Sequence, residues 1–330
     1  MLNSSSNLRP NLTSASKPIF GSALKPKLGS TFGSISKPNR FGSFGAGIGA
    51  GTQNQKLTQQ GFETWRKYIY DLCGIYFQDN KKYLLESRLQ KRLKHLKLSS
   101  FEQYLQFLKT NPKREEEKKQ LFEAITINET YFFRNQPQAD ALVSTVIQEL
   151  VDKQPGFSKK IRIWSAASSS GEEAYTAAMV IHELILPKFP NLKVEIVGTD
   201  LDYSIVETAK KGIYKEYSIR NTPPLYLKKY FKKVDNNYEI DPKIKNMVTF
   251  KTLNLYDDAG IRMMGKFDIV TCANVLIYFD TQSKVKVVNN LYNSLNPNGY
   301  LFIGYSETLH GISKAFQLVS FPKTIGYRKG

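Results

Sequence analysis

The stretch that decides the fold is Ile161-Arg162-Ile163-Trp164-Ser165-Ala166-Ala167-Ser168-Ser169-Ser170-Gly171-Glu172-Glu173. It begins as a short apolar run, continues as a turn of very small residues and ends in two carboxylates. The residues from Ala174 to Leu186 then have a helical pattern. A strand, a tight turn and a helix in this order form the opening unit of a doubly wound α/β domain. Ligands of such domains bind at the carboxyl ends of the strands, where small side chains let a bulky molecule approach the backbone.

Further short apolar runs follow this unit, and helical segments separate several of them. We predict strands at 161–165, 194–198, 248–252, 267–272 and 300–304, helices at 136–151, 204–211 and 283–295, and an antiparallel hairpin at 315–328. This alternation predicts an α/β fold with a doubly wound, mostly parallel sheet that ends in a C-terminal antiparallel hairpin. The segment 222–247 breaks the alternation. We predict that it is an insertion with a short helix and a small hairpin, lying over the binding crevice.

A small all-α domain with its linker is predicted at 61–135, ahead of the α/β domain at 136–330. Apolar residues recur at helical spacing from Phe62 onward, and Ser100 with Gln103 forms a capping box for the third helix. The second helix, 81–97, carries a leucine stripe and a strongly basic outer face. Such a face is usually only solvated, and the alternative is a docking surface for an acidic partner. The basic side chains concerned are Lys81, Lys82, Arg88, Lys91 and Arg92.

Residues 1–60 are predicted to form a disordered basic tail. They are rich in Ser, Gly, Lys and Pro, carry seven basic and no acidic side chains, and show no periodicity. The 330-residue chain has a formal net charge of +18, which favours nucleic acid, anionic lipid or an acidic protein as a partner without choosing among them. No apolar run reaches the roughly 20 residues of a membrane helix. The amino end has no apolar signal-peptide core, so we expect no membrane insertion and no secretion.

Cysteine and histidine are sparse and scattered. Cys73 and Cys272 lie far apart, which favours a reducing compartment over a disulfide framework. The three histidines have no spacing typical of metal ligands, so we expect no metal site.

The turn after the first strand excludes the common phosphate cradles. It has a single glycine, Gly171, where a dinucleotide fingerprint needs three, and it has no Lys-Ser or Lys-Thr pair of a P-loop. Glu172 and Glu173 occupy the positive helix end themselves and repel phosphate. Asp200 ends the second strand, where an acidic side chain can accept hydrogen bonds from both ribose hydroxyls. A ribose site without a phosphate cradle favours a cationic, phosphate-free nucleoside, and S-adenosylmethionine fits this description.

Four motifs now identify a resemblance, which covers residues 62–328 in order. The chain resembles the chemotaxis receptor methyltransferase (CheR) family in Asn-Glu-Thr-Tyr-Phe-Phe-Arg at 128–134, Trp-Ser-Ala-Ala-Ser-Ser-Ser-Gly-Glu-Glu-Ala-Tyr at 164–175, Thr-Asp-Leu-Asp at 199–202 and Asn-Val-Leu-Ile-Tyr-Phe-Asp at 274–280. The resemblance implies a class I methyltransferase-like sheet. It also implies a cytoplasmic protein-glutamate O-methyltransferase, which esterifies chemoreceptor glutamates with S-adenosyl-L-methionine and releases S-adenosyl-L-homocysteine.

The resemblance also implies roles for residues at matching positions. It implies that Glu172 meets the methionine part of the cofactor, Asp200 the ribose, Asn254 and Leu255 the adenine, and Asn274 and Val275 the sulfonium. It implies further that Asn128, Thr130 and Arg134 line the crevice, with Tyr278 near the incoming glutamate, and that the basic helix docks acidic receptor helices. We expect Arg134 to hold the substrate carboxylate and Tyr278 to act as a neutral donor.

Two departures from the family pattern affect the expected function. The family usually has Arg before the Asn of the fourth motif, and this chain has Ala273. A catalytically weakened, cofactor-binding regulator or adaptor is therefore the alternative hypothesis. The 222–247 insertion lacks the glycine-bearing loop of members that bind a receptor's C-terminal pentapeptide, so we predict pentapeptide-independent binding. Nucleic-acid methylation is disfavoured because Asn274-Val275-Leu276-Ile277 lacks the prolines and aromatic of amino-methylating enzymes.

Overall fold

The computed structural model describes residues 56–156 and 159–330. The tail predicted for residues 1–60 lies, up to residue 55, outside the described residues. Within the described ranges, no helix is both long and apolar enough to cross a membrane.

Four helices form the first part of the described chain, α1 Gln59–Cys73, α2 Lys82–Leu96, α3 Phe101–Thr110 and α4 Arg114–Ile125. The stripe residues Leu85, Leu89 and Leu93 are buried against Trp65 and Tyr104, so the predicted amphipathic pattern packs the core of an all-α domain.

The helix ends have the caps that the sequence suggests. The Ser100 hydroxyl accepts a hydrogen bond from the Gln103 backbone N–H, as predicted. The Gln103 side chain, however, accepts from the N–H of Ser99, one residue before the position expected in a capping box. Gly74 ends α1 in the left-handed region at φ 74°.

The second part alternates helices and strands. Its first elements are α5 Gln136–Ala141, a π-helical turn Leu142–Val146, α6 Ile147–Asp152, β1 Lys160–Ala166, α7 Glu172–Leu184, β2 Lys193–Asp200 and α8 Tyr203–Lys211. A small subdomain follows, with β3 Ile213–Tyr214, α9 Glu216–Ile219, α10 Pro224–Tyr230, β4 Phe231–Val234, β5 Asn237–Ile240 and α11 Pro242–Lys245. The last elements are β6 Val248–Thr252, α12 Asp258–Met263, β7 Phe267–Cys272, α13 Thr281–Ser294, β8 Leu295–Ile303, β9 Phe316–Phe321 and β10 Thr324–Lys329.

Seven strands form the main sheet in the order β6-β2-β1-β7-β8-β10-β9. The first five are parallel, and β10 pairs antiparallel with both β8 and β9. The predicted fold class, a doubly wound sheet with a reversed C-terminal hairpin, is confirmed. Since β1 pairs with β2 on one side and β7 on the other, the strand order reverses at β1. Ligands of open α/β sheets bind at the carboxyl ends of the strands at such a switch point.

Two predicted boundaries differ from the structure. Strand β8 begins at Leu295 and passes through Pro297-Asn298-Gly299, the segment predicted to be a turn before residue 300. The pairing of β7 with β8 is irregular between Phe267 and Ile269, which lets this turn-like segment remain in the strand. The helix predicted at 136–151 contains the π-helical turn at Leu142–Val146, a feature that apolar spacing does not reveal.

The insertion forms its own three-stranded antiparallel sheet in the order β3-β5-β4. The predicted short helix and hairpin are present as α10 and the β4–β5 pair. The subdomain begins earlier than predicted, because Ile213 and Tyr214 pair with Glu239 and Tyr238 of β5.

Helix α1 is joined to the sheet domain by the segment that follows it. Residue Ile75 forms an antiparallel bridge with Phe279, and the Tyr76 N–H donates to the Tyr278 carbonyl at 3.0 Å. The Asn254 side-chain amide donates to the Leu72 carbonyl at 2.8 Å. These bonds hold the helical domain against the loops at the carboxyl ends of β6 and β7.

We expect Gly74→Ala to destabilise this junction by roughly 2–4 kcal/mol. A Cβ at this position would lie 2.6 Å from the Tyr256 ring, and the φ of +74° is itself strained for alanine. Thermal unfolding measures the effect.

Gly311→Ala is the matched control for that substitution. Gly311 has the same φ of +74°, and among the described residues no atom lies within 4 Å of its Cβ position. Only the backbone cost, about 1–2 kcal/mol, is expected there. Equal losses for the two variants would contradict a steric role for the Gly74–Tyr256 contact.

Candidate functional site

A cavity of about 860 Å³ opens where the carboxyl ends of the strands face the helical domain. Its volume is in the range of sites that enclose a drug-sized ligand. Two residues of the predicted docking set, Lys81 and Arg88, line it. So do nine of the predicted cofactor-binding and catalytic residues, namely Asn128, Thr130, Arg134, Asp200, Asn254, Leu255, Asn274, Val275 and Tyr278. No residue of the 213–247 subdomain lines this cavity, but Tyr217 and Arg220 of the subdomain contact the lining residues Glu129 and Tyr131. That the insertion covers the crevice stays a prediction.

The β1–α7 turn forms part of the cavity wall through an unusual backbone. Ala167, Ser169 and Gly171 all have positive φ, at 57°, 52° and 93°. A Cβ on Gly171 would lie 2.7 Å from the Phe250 ring, so glycine is required there for both conformation and space. The small residues of the motif thus let the turn fold tightly between β2 and β6.

Asp200 holds this turn against the end of β2. Its Oδ2 accepts the Ser169 N–H at 2.8 Å, and its Oδ1 accepts the Asp202 N–H at 3.1 Å. Burial raises the pKa of Asp200 to about 6, although both backbone N–H groups favour the charged form. The carboxylate lines the cavity and retains further lone pairs for a ligand.

The two glutamates that begin α7 point in different directions. Glu172, expected to contact the cofactor, is only 1 % exposed, does not line the cavity and accepts a bond from the Ser170 hydroxyl at 2.6 Å. Glu173 lines the cavity instead. This corrects the prediction, and the cause is geometric. Consecutive helical residues differ by about 100° in direction, so only one of the pair can face the cavity.

Hydrogen bonds hold Glu173 in place on the cavity wall. Its carboxyl accepts from the Ser165 hydroxyl at 2.8 Å and from the Thr271 hydroxyl, at the ends of β1 and β7. Burial raises the pKa of Glu173, while those hydroxyls and the positive charge of Arg134 act in the opposite direction.

The 128–134 segment packs into the core of the sheet domain and lines the cavity. The rings of Phe132 and Phe133 are buried, and the Phe132 N–H donates to the Ser218 carbonyl. The Asn128 side chain donates to Asp202 at 2.7 Å. The Arg134 guanidinium donates to the Glu129 carbonyl at 2.8 Å. Rigid aromatic packing therefore fixes the polar groups of this segment toward the cavity.

The loop after β7 forms the opposite wall. Asn274 has a left-handed backbone at φ 62°, and Tyr278 ends the 3-10 turn Leu276–Tyr278. Burial raises the pKa of Tyr278, opposed by the charges of Arg134 and Arg88, so the phenol is protonated near neutrality. Ala273 also lines the cavity.

The basic face of α2 is only partly exposed. Lys81 and Lys91 are exposed and Lys82 is half-buried. Arg92 forms an ion pair with Glu117 at 2.7 Å, with 13 % of its side chain exposed. Arg88 donates to the Ile125 carbonyl and lines the cavity. The two arginines of the predicted docking set thus bind inside the domain, because their long side chains reach α4.

The cavity wall suits a cationic nucleoside. Asp200 and Glu173 supply carboxyls at two separate places, and the buried Ser168 Oγ has no hydrogen-bond partner within the described residues. Within 56–156 and 159–330, no group of three or more His, Cys, Asp or Glu side chains is arranged to hold a metal ion. Cys73 lines the cavity, but burial raises the pKa of its thiol to about 12, so it is not a thiolate nucleophile.

Sheet order, turn and acidic residues together define the class of S-adenosylmethionine-dependent methyltransferases. The family described as "CheR methyltransferase, SAM binding domain" matches residues 128–325, and "CheR methyltransferase, all-alpha domain" matches 60–126. The chain belongs to the CheR methyltransferase family, and its cofactor is S-adenosylmethionine.

Curated relatives agree with this assignment over most of their length. Chemotaxis protein methyltransferase 2 of Vibrio cholerae serotype O1 is 37% identical over 83% of this chain and 94% of its own. Chemotaxis protein methyltransferase 1 of Pseudomonas aeruginosa is 36% identical over 81% of this chain and 97% of its own. The chemotaxis protein methyltransferase of Borreliella burgdorferi is 36% identical over 78% and 91%.

Sequence reasoning missed Glu173 as a cavity residue. Glu173, Thr176 and Ala177 all line the cavity and lie at positions i, i+3 and i+4 of α7. Residues at this spacing share one helix face. These three residues are smaller or more polar than most of those on the buried face of α7, and this pattern could have indicated the face that lines the cavity.

We expect Glu173→Gln to weaken cofactor binding by roughly tenfold or more, because a hydrogen bond to a charged group is lost. Calorimetric titration with S-adenosylmethionine measures the dissociation constant. Glu172→Gln is the matched control, since its carboxyl is turned away from the cavity, and its affinity should stay near that of the unaltered protein. A larger loss in Glu172→Gln than in Glu173→Gln would reverse the correction.

We expect cofactor affinity to rise with pH through about 6, because ribose hydroxyls donate to the ionised form of Asp200. The free energy of unfolding of the cofactor-free protein should change in the opposite direction. The folded-state pKa lies above the unfolded value of about 3.9. The contribution of Asp200 to stability is therefore fully present below about pH 4 and is lost as the pH rises through 6.

Titration calorimetry and chemical unfolding between pH 4 and 7.5 test both statements. Asp200→Asn, which cannot ionise, should flatten both profiles. Profiles of the variant that run parallel to those of the unaltered protein would assign the pH dependence to another group.

Proposed function

We propose that this protein methylates glutamate side chains of chemoreceptors to methyl esters, using S-adenosyl-L-methionine and releasing S-adenosyl-L-homocysteine, for chemotactic adaptation in the cytoplasm. The observation that carries the proposal is the pair of side chains at the acceptor end of the cavity, by which we mean the part next to the loop after β7, where the group to be methylated would bind. A cation, Arg134, and a protonated phenol, Tyr278, lie there beside the loop after β7. This pair suits a carboxylate substrate, and the names of the relatives support chemotaxis as the process.

The chemistry needs little from the protein beyond positioning. The bound cofactor would supply a methyl group on a sulfonium. In-line attack by a carboxylate oxygen would form the C–O bond as the C–S bond breaks, and S-adenosyl-L-homocysteine would leave as a neutral thioether. A glutamate side chain in water has a pKa of about 4.3, so it is ionised near neutrality and needs no general base. Arg134 and Tyr278 hold the carboxylate, and enclosure between the two domains excludes water. Orientation of two reactants can supply on the order of 7–11 kcal/mol in the best intramolecular reactions.

We assign each part of the cofactor to particular residues of the cavity wall. Glu173, in place of Glu172, binds the amino group of the methionine part, and Asp200 accepts from the ribose hydroxyls. Asn254 and Leu255 flank the adenine. The Asn254 side chain already bonds the Leu72 carbonyl and the Tyr256 N–H, so the adenine contact comes from the backbone of this pair.

The remaining predicted residues lie between the cofactor-binding residues and the acceptor residues Arg134 and Tyr278. Asn274 and Val275 lie beside the sulfonium. Asn128 and Thr130, with Arg134, complete the crevice wall.

The receptor-binding surface is the exposed part of the basic helix. The exposed Lys81 and Lys91, with the half-buried Lys82, attract acidic, glutamate-bearing receptor helices, since a cluster of one charge steers partners of the opposite charge. Arg88 and Arg92 contribute mainly by fixing α2 against α4. The compact β4–β5 hairpin, joined by Asp235 and Asn236, supports binding that does not use a receptor's C-terminal pentapeptide.

The alternative of a catalytically weakened regulator rests on Ala273. Arg134 and Arg88 both line the cavity and influence Tyr278, so positive charge is present near the acceptor end despite alanine at 273. Turnover is therefore the favoured hypothesis.

The experiment is incubation with cofactor carrying a labelled methyl group and with membranes that contain chemoreceptors, with or without their C-terminal pentapeptide. We expect base-labile label on receptor glutamates in both preparations. Arg134→Ala should lower transfer on the order of 10²-fold, the effect of a misplaced reacting group. Its cofactor affinity should fall less.

Arg328→Ala is the control, because Arg328 pairs with Glu149 away from the cavity lining. Near-normal transfer by Arg134→Ala would remove that residue from its role. Tight cofactor binding without base-labile label would favour the regulator instead, and label gained only with the pentapeptide present would refute pentapeptide independence.

A further inference from the structure

A buried carboxyl outside the cavity lining and outside the four motifs lies next to the loop after β7, residues 273–280, which we call the acceptor loop. Glu307, in the turn after β8, is 9 % exposed. Its Oε2 accepts the Asn274 N–H at 2.9 Å and the Gly304 N–H at 2.7 Å. Its own N–H donates to the Gly304 carbonyl at 2.9 Å, which closes the turn that carries it. One carboxyl oxygen thus joins two chain segments.

The two hydrogen bonds to Glu307 lie where the pairing of β7 with β8 ends. The last paired residues of β7 and β8 are Cys272 and Ile303, so the strands separate just before Asn274 and Gly304. Backbone N–H groups that lose their ladder partners need another acceptor when they are buried. Glu307 supplies that acceptor to both strands at once.

The conformation of Asn274 depends on this arrangement. Its φ of 62° is left-handed, a conformation that asparagine adopts more readily than other non-glycine residues, and the bond from its N–H to Glu307 stabilises it. A Cβ on Gly304 would lie 2.7 Å from Glu307 Oε2 and 2.8 Å from the Asn274 N. The three residues therefore pack as one unit without spare space. We call Asn274, Gly304 and Glu307 the strand-end clamp.

The clamp sets the direction in which the chain enters the cavity wall. Asn274 and Val275 line the cavity, and the short 3-10 turn that follows carries Tyr278. A change at Asn274 therefore moves the groups on both sides of the reacting centre. No cation pairs with Glu307 within the described residues. Oε2 accepts from the two backbone N–H groups, and the buried Oε1 has no hydrogen-bond partner there.

We propose that Glu307 is a positioning residue for methyl transfer, acting through the Asn274 N–H to hold the acceptor loop and Tyr278 in register with the cofactor. The proposal rests on the proposed function above, since it concerns transfer at the same site. The charge of Glu307 also acts on Glu173 and Tyr278, and it is removed equally in the two variants compared below, so their difference reports the geometry.

The test compares Glu307→Ala with Glu307→Gln. The glutamine amide oxygen can accept both N–H bonds, so Glu307→Gln should keep kcat within about threefold. Glu307→Ala should lower kcat on the order of 10²-fold, the effect of a misplaced reacting group. The dissociation constant for S-adenosylmethionine should rise by less than about tenfold, the range of one neutral hydrogen bond.

The control substitution is made at the opposite end of the same strand pair. Asn296 of β8 donates to Asp268 of β7 at 2.8 Å, so Asn296→Ala also removes a bond between these strands. It should lower the melting temperature and leave kcat unchanged. A fall of kcat in Asn296→Ala equal to that in Glu307→Ala would overturn the proposal, as would equal falls in Glu307→Ala and Glu307→Gln.

A readout independent of activity separates this proposal from the proposed function. Hydrogen exchange of a peptide spanning residues 272–279 should be faster in Glu307→Ala and unchanged in Glu307→Gln, because the Asn274 N–H loses its acceptor only in the first. Unchanged exchange in Glu307→Ala overturns the clamp. Absence of transfer by the unaltered protein refutes the proposed function, while exchange still decides the clamp.

Discussion

The bond from the Ser169 N–H to the Asp200 carboxylate is the interaction on which the site depends. It ties the turn after β1 to the end of the neighbouring strand β2. The left-handed Ala167 precedes two N–H groups that point toward β2, since the Ser168 N–H donates to the Thr199 carbonyl and the Ser169 N–H to Asp200. A buried carboxylate needs such donors. The same contact therefore stabilises the strained turn and leaves an acidic group on the cavity wall, where the proposed ribose contact is made.

The cavity exists because a second domain covers the sheet. Its wall includes Cys73 and Arg88 from the helical domain and Thr271 from β7. Two hydrogen bonds join the domains. The bond from the Tyr76 N–H ends on the acceptor loop, and the bond from Asn254 to Leu72 lies at the proposed adenine contact. The basic helix α2 begins a few residues after this junction. Its position relative to the reacting centre is thus set by short, rigid connections rather than by a flexible linker.

Local patterns predicted much of the molecule. Strands β6 and β7 have the bounds expected from their apolar runs, and nine of the predicted cofactor-binding and catalytic residues meet around one cavity. Parallel strands force this meeting, since their carboxyl ends share one sheet edge. Local patterns failed where a residue distant in the sequence determines where a strand begins or which way a side chain points. Leu295 starts β8 early because β7 is there to pair with it, and Arg92 turns inward because α4 offers Glu117.

By itself, the sequence determined the fold class, the cofactor type and the family, because these depend on spacing, small residues and charge within short segments. Only the tertiary structure decided which side chains face the cavity. Glu172 and Glu173 are chemically identical neighbours, and the direction of α7 against the sheet separates them. Glu307 lies in no motif that indicates a role, and its link to Asn274 arises because β7 and β8 end side by side. The opening stretch fixes where a ligand binds, and long-range packing selects the groups that it meets.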